Sequence, residues 1–206
     1  MNQYRQWDFL IFAILTLFSV LNGQASVFYL IYFFWFYELI CVLVDQLFYK
    51  GNPNAVLQSG KRKSIFGSFL QMGVYFVFIV VFFGFIASFN NTEILMANME
   101  VLVFQNWFFN ANLIFILLER IYLHKSHYAV DVYLGSFTPN MIVLHISIIL
   151  GAFMMFFVVR NFPDIFTPEN LWGSVIIILP FVLLRMWWAY QFTRPSVFLN
   201  NQEETR

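Results

Sequence analysis

The sequence predicts an all-α fold: a polytopic transmembrane helical bundle of six spans, with both termini in the cytoplasm. Three observations predict it. The first is composition: of 206 residues, 61% are hydrophobic and only 11% are charged. Soluble domains carry about a quarter charged residues, so this chain has too few to solvate a globular surface. The 29 Phe residues and an aromatic content of 22% cost nothing against lipid but would drive aggregation in water. The second is a series of long apolar runs, and the third is a one-sided distribution of Lys and Arg.

A span needs about 20 mostly apolar residues, because each rises ~1.5 Å through a hydrocarbon core ~30 Å thick. A helix meets that need with every backbone group bonded internally. The first predicted span covers about 8–21 and ends at Asn22-Gly23. It has a competing reading as a signal peptide: Arg5, an apolar run from Phe9 to Phe18, then Gly23-Gln24-Ala25 as a small-residue cleavage site. Trp7 and Asp8 interrupt that pattern, and we expect a retained span. The second covers 26–49 and stops before Gly51-Asn52-Pro53-Asn54. The third covers 65–89 and is followed by Asn90-Asn91-Thr92. The fourth covers 101–123. The fifth covers 141–159, introduced by Thr138-Pro139-Asn140, and the sixth covers 172–192, after Pro163 and Pro168. These connectors favour turns and helix ends over helix interiors. No internal repeat or linker divides the chain, so residues 1–206 are expected to form a single integral membrane domain.

Basic residues set orientation, since they concentrate on the cytoplasmic side. With six spans, Arg5, Lys50, Lys61, Arg62, Lys63, Arg120, Lys125, Arg194 and Arg206 all fall on one side. The other side holds Arg160 with Glu93, Glu100, Asp164 and Glu169. That separation implies a multi-pass membrane protein, N-in and C-in. The bilayer is its first partner, and other membrane subunits or further copies of the chain are possible partners. A formal net charge of zero argues against nucleic acid, and a single cysteine, Cys41, excludes an internal disulfide or a cysteine metal cage.

Ionisable groups inside lipid cost about 2.5–3.5 kcal/mol each on insertion scales, so they persist when paired or facing a cavity. Glu38, Asp45, Glu119, His145 and Arg185 lie within the predicted spans, gathered in their cytoplasmic half. They form the candidate functional cluster. Glu38 and Arg185 are the deepest opposite charges, and pairing would offset their burial. Glu38 and Asp45, seven residues apart, share one helix face with Cys41 and Val42 between or near them. His145 is the best candidate proton carrier because imidazole titrates near neutral pH. Pro180 is expected to kink the sixth span and free a carbonyl near Arg185. Asn106, Asn110 and Asn112 are expected to bond between helices.

Metal chemistry has one weak signature. His124, His127 and Asp131 form H-x-x-H-x-x-x-D, whose spacing puts all three on one side of a helix, with His145 as a further ligand. Otherwise no cofactor is predicted. The motifs H-E-x-x-H, G-x-S-x-G and the P-loop are absent.

Two stretches carry a resemblance. Phe34-Trp35-Phe36-Tyr37-Glu38-Leu39-Ile40, and Pro139-Asn140-Met141-Ile142-Val143-Leu144-His145 continuing to Ile149-Leu150-Gly151, resemble spans of an uncharacterised prokaryotic family of multi-pass integral membrane proteins. The resemblance implies the same topology and singles out Glu38 and His145. Relatives tend to carry a further histidine in the preceding span, where Asn112 stands here. The family supplies no activity.

Three functions compete. The lack of a catalytic motif favours an accessory or structural subunit of a membrane complex rather than an enzyme. The buried Glu, Arg and His residues favour proton or small-solute translocation. The histidines would suit an intramembrane metal-dependent enzyme.

Overall fold

The computed structural model describes residues 26–48, 62–86, 91–125, 137–162 and 170–192, with residues 14 and 165. All the elements among them are helical. Helix α1 is Val27–Phe48 and α2 is Arg62–Phe78, continued by a π-helical segment, Ile79–Phe85. Helices α3 (Thr92–Leu102) and α4 (Trp107–Lys125) follow. Helix α5, Pro139–Phe153, continues as a second π-helical segment, Met154–Val159, and α6 is Leu171–Phe192.

Four stretches are long and apolar enough to cross a membrane: Val27–Phe48, Gly67–Phe85, Thr92–Lys125 and Asn140–Val159. They match the second to fifth predicted spans. The sixth corresponds to α6, whose described apolar stretch, Val175–Trp187, is shorter. The first span, the signal-peptide alternative and the basic residues of 49–61 lie outside the described residues.

Helix α1 is the axis of the bundle and packs against every other helix. Every residue from Val27 to Trp35 is buried. A helix that is apolar on all sides has no solvent face to spare and belongs inside. Helices α2 and α5 run antiparallel to it. Trp35 Nε1–H donates to the Met72 carbonyl at 2.7 Å, and Phe28 sits against Gly84. Gly151 of α5 meets α1 so closely that a Cβ there would collide with Ile31 and crowd Val27 and Phe83. Helix α4 runs with α1: Asn112 reaches Tyr29, and Arg120 reaches Asp45.

Lipid offers no hydrophobic drive for helix association, so close packing and interhelical hydrogen bonds hold such bundles. Aromatic rings supply much of the packing. Tyr32 touches Phe28, Phe36 and Phe109, with centroids 5.0, 4.8 and 5.6 Å away, each pair contributing about 0.5–1.5 kcal/mol beyond area burial. Phe28, Phe33, Phe83, Phe109 and Phe181 are fully buried, so part of the phenylalanine serves the interior rather than lipid. At the opposite end of α1 from Asp45, Ser26 Oγ donates to Asn98 Oδ1 at 2.8 Å, and Asn98 Nδ2 donates to the Phe83 carbonyl at 3.4 Å.

The fourth span starts earlier than expected and is broken inside. A helix already starts at Thr92, capped by Asn91 Oδ1, which accepts from the Ile94 N–H at 3.1 Å. It stops at Leu102 and restarts at Trp107. Phe104 has φ +59°, the left-handed conformation that closes a helix C-terminus. The Phe104 N–H donates to the Val101 carbonyl, and the Gln105 N–H to the Glu100 carbonyl, which together form a Schellman motif. Asn106 then caps α4: its Oδ1 accepts from the Phe109 N–H at 2.9 Å. Asn110 Nδ2 donates to the Phe104 carbonyl at 2.6 Å. These two amides satisfy backbone at the break, and Asn112 bonds to another helix as expected. An unbroken helix over the 34 residues of Thr92–Lys125 would be ~50 Å long, more than a bilayer core needs.

Candidate functional site

The buried face of α4 is the stripe Phe109, Asn112, Ile116, Arg120 and His124, one residue per turn. Its last two members meet Asp45 of α1. Arg120 donates from Nε to Asp45 Oδ1 at 3.0 Å and from a terminal nitrogen to Oδ2 at 2.8 Å. This fork-on-carboxylate geometry is the strong form of the pair. His124 Nε2 lies 2.7 Å from Asp45 Oδ1. Asp45 is fully buried, and Arg120 and His124 are nearly so.

Because Asp45 has both oxygens committed as acceptors, His124 bonds to it as an Nε2–H donor, which fixes the tautomer of a neutral ring. The other ring nitrogen, Nδ1, is buried and has no hydrogen-bond partner among the described residues. Gln46 Oε1, on the residue after Asp45, is in the same condition. Phe48 stacks on the imidazole at 5.6 Å. The formal charges of Asp45 and Arg120 cancel. What remains is an imidazole held in place, with a lone pair on Nδ1 able to accept one proton or one hydrogen bond.

Glu38 lies two turns along α1, a rise of ~10 Å. It is fully buried, and Thr138 Oγ1–H donates to its Oε1 at 2.5 Å. The same Thr138 oxygen accepts from the Met141 N–H at 3.1 Å and so caps α5. One threonine thus starts a helix and holds a buried carboxylate. Buried Cys41 and Val42 lie between Glu38 and Asp45.

The remaining predicted residues are Arg185, Glu119 and His145. Arg185 sets its guanidinium over Tyr37, 4.1 Å from the ring centroid, with Phe33 and Phe34 at 5.8 and 5.5 Å. These are cation–π distances, and Tyr37 adjoins Glu38 in sequence. Pro180 sits inside the continuous helix α6. The carbonyl a proline deprives of its donor is four residues back, that of Ile176, well before Arg185. Glu119 is half-buried, off the buried stripe of α4. His145 is exposed and within 3.2 Å of the Tyr75 hydroxyl.

Among the described residues no group of three His, Cys, Asp or Glu side chains is placed to hold a metal ion. His124 turns inward to Asp45 and His145 turns to Tyr75, so these two predicted ligands do not share a site. His127 and Asp131 lie outside the described residues.

No protein-family model, curated protein or solved structure matches the chain. The resemblance to a prokaryotic membrane family therefore stands on its two motifs, and the helices themselves establish only a helical protein suited to a membrane. Within those motifs, Glu38 is a buried carboxylate, whereas His145 faces outward.

Sequence reasoning left Arg120 and Thr138 out of the candidate cluster and took His124 only as a metal ligand. The available signal was the spacing on α4: Arg120 and His124 are four apart, on one face with Ile116 and Asn112. Thr138 was legible as a helix cap, but nothing in the sequence joined it to a residue one hundred positions earlier.

Proposed function

We propose that this chain is a multi-pass membrane protein that binds and passes protons within its bundle, with His124 as the proton-accepting group. The supporting observation is the unpartnered Nδ1 of a buried imidazole whose other nitrogen is bonded to Asp45. Protonation at Nδ1 creates an imidazolium that stays hydrogen-bonded to the adjoining carboxylate and gives the Asp45, Arg120 and His124 group a net charge of +1. Arg120 holds that carboxylate and balances it when the ring is neutral. Glu38, on the same helix, is the second group able to hold a proton.

The test is proton flux in proteoliposomes carrying a pH gradient, followed by an entrapped fluorescent pH indicator. The wild-type protein should pass protons above the rate of empty vesicles, and His124→Gln should lose that flux while Glu119→Gln keeps it. Flux equal to empty vesicles, or unchanged in His124→Gln, would refute the proposal.

A second reading, an accessory subunit of a larger membrane complex, is supported by His145 and Tyr75 on the outer surface of the bundle. Mild extraction followed by mass spectrometry tests it, and a preparation with no second chain counts against it. A metal-dependent enzyme draws support only from the H-x-x-H-x-x-x-D pattern, and metal analysis of the purified protein tests it.

The topology belongs to the same proposal: six spans, N-in and C-in, in the inner membrane of a prokaryote. The sidedness of Lys and Arg supports the span count and orientation, and the resemblance of the two motifs supports the prokaryotic membrane. Reporter fusions at 55 and at 165 should report opposite sides, and the same side at both positions would break the scheme.

A further inference from the structure

Two neighbouring candidate spans, Gly67–Phe85 and Asn140–Val159, carry a polar chain that ends on the outside of the bundle. Gln71 Nε2–H donates to the Tyr75 hydroxyl at 3.3 Å. The Tyr75 hydroxyl lies 3.2 Å from His145 Nδ1. An amide nitrogen can only donate, so Tyr75 accepts from Gln71; with the His145 tautomer that leaves Nδ1 unprotonated, Tyr75 donates its own proton to that nitrogen. A neutral His145 then carries its ring proton on Nε2. The imidazole is exposed and apolar residues surround it on the same helix, with Ile146 and Ile149 exposed beside it. Leu70 and Val74 are exposed on the adjoining helix. In hydrocarbon an N–H donor finds no acceptor, and such groups in membrane helices ordinarily face protein.

The chemistry of the patch describes what covers it. It offers one outward donor, His145 Nε2–H, and one spare acceptor, the second lone pair of the Tyr75 oxygen. A two-fold axis through the patch satisfies both at once, because an isologous contact pairs residue i with j and j with i. We propose that the Tyr75–His145 face is the contact between two copies of this chain. In it each His145 Nε2–H donates to the Tyr75 oxygen of the other copy, within a collar of isoleucine and valine. The contact is independent of His124 and of proton flux.

Single-molecule photobleaching of the labelled full-length protein in liposomes, over a series of protein-to-lipid ratios, tests this. The wild-type chain should form dimers, and His145→Leu should weaken dimerisation at least tenfold. Tyr75→Phe, which keeps the ring in the bundle, should weaken it similarly, and His145→Gln, which keeps an N–H donor, should restore much of it. Ile149→Cys should give a disulfide-linked dimer under mild oxidation in the membrane. A wild-type chain that stays monomeric at all ratios overturns the proposal. So does a dimer whose affinity ignores both His145→Leu and Tyr75→Phe, or a different subunit recovered in equal amount and cross-linked at position 149.

Discussion

Arg120→Met is the perturbation that examines the Asp45 centre most directly. Methionine keeps most of the length and packing of the arginine stem but removes both bonds to Asp45, at 3.0 and 2.8 Å. Asp45 is then a fully buried carboxylate with the His124 contact at 2.7 Å as its strong remaining support. Breaking one side of a buried pair costs about 3–5 kcal/mol, while replacing the whole pair with apolar groups of similar volume is often close to neutral. The remaining imidazole bond softens the single change, so we expect about 3 kcal/mol. In the double variant Asp45→Leu, Arg120→Met the buried charge is gone. What remains is His124 Nε2–H without its acceptor, an unsatisfied donor costing about 1–3 kcal/mol. The double variant should therefore be no less stable than Arg120→Met alone, although it removes one more polar side chain. Equilibrium unfolding in mixed micelles, read as a full double-mutant cycle, measures the coupling. Additive single effects would refute the pairing as the source of the energy. A double variant that loses the sum of the two single losses would do the same.

Three further outcomes follow from the packing and caps. Gly151→Ala should destabilise by about 1–3 kcal/mol through overpacking against Ile31, Val27 and Phe83. Gly73→Ala, whose new Cβ meets nothing within 4 Å, should be neutral or stabilising by up to ~1 kcal/mol. Equal losses at the two glycines would count against the geometry, and thermal unfolding in detergent decides. Phe104→Ala loses the ring contacts to Phe36 and Phe109, at 5.4 and 6.2 Å, and retains a left-handed non-glycine residue. Phe104→Gly loses the same rings but relieves that conformation, so it should be more stable than the alanine variant by about 1 kcal/mol. The same melting assay orders the two, and the reverse order would argue against a left-handed turn. Thr138→Ala should cost about 2–4 kcal/mol, combining a lost helix cap with a lost donor to buried Glu38. Thr138→Ser should recover most of it, and a serine variant as unstable as the alanine variant would show that the hydroxyl is not the group that matters.

Composition alone determined the class of this protein. A chain with so few charges and so many aromatics requires an apolar solvent, and run length then fixed where most helices lie, because bilayer thickness and helical rise are constants. The second, third and fifth predicted spans agree with the observed helices for that reason. The fourth falls inside Thr92–Lys125, but its internal break escaped notice, because hydropathy sums a segment and is blind to a single residue at positive φ. The turn at Phe104 is made by backbone bonds to Glu100 and Val101 and by two asparagine side chains, none of which changes the apolar average. Helix periodicity put Glu38 and Asp45 on one face of α1, and both are buried there. Which residues meet them was decided by tertiary packing. Asp45 is bonded to Arg120 and His124, seventy-five or more positions away, because α4 lays its buried stripe along α1. Glu38 is bonded to Thr138 because α5 begins at its level. His145, grouped with them by depth, turns instead to Tyr75, since depth is a single coordinate and the direction of a side chain around its helix is another. The sequence by itself determined that charges sit inside an apolar bundle; the packing of helices around α1 decided their partners, because a buried charge is stable only beside a group that the fold delivers to it.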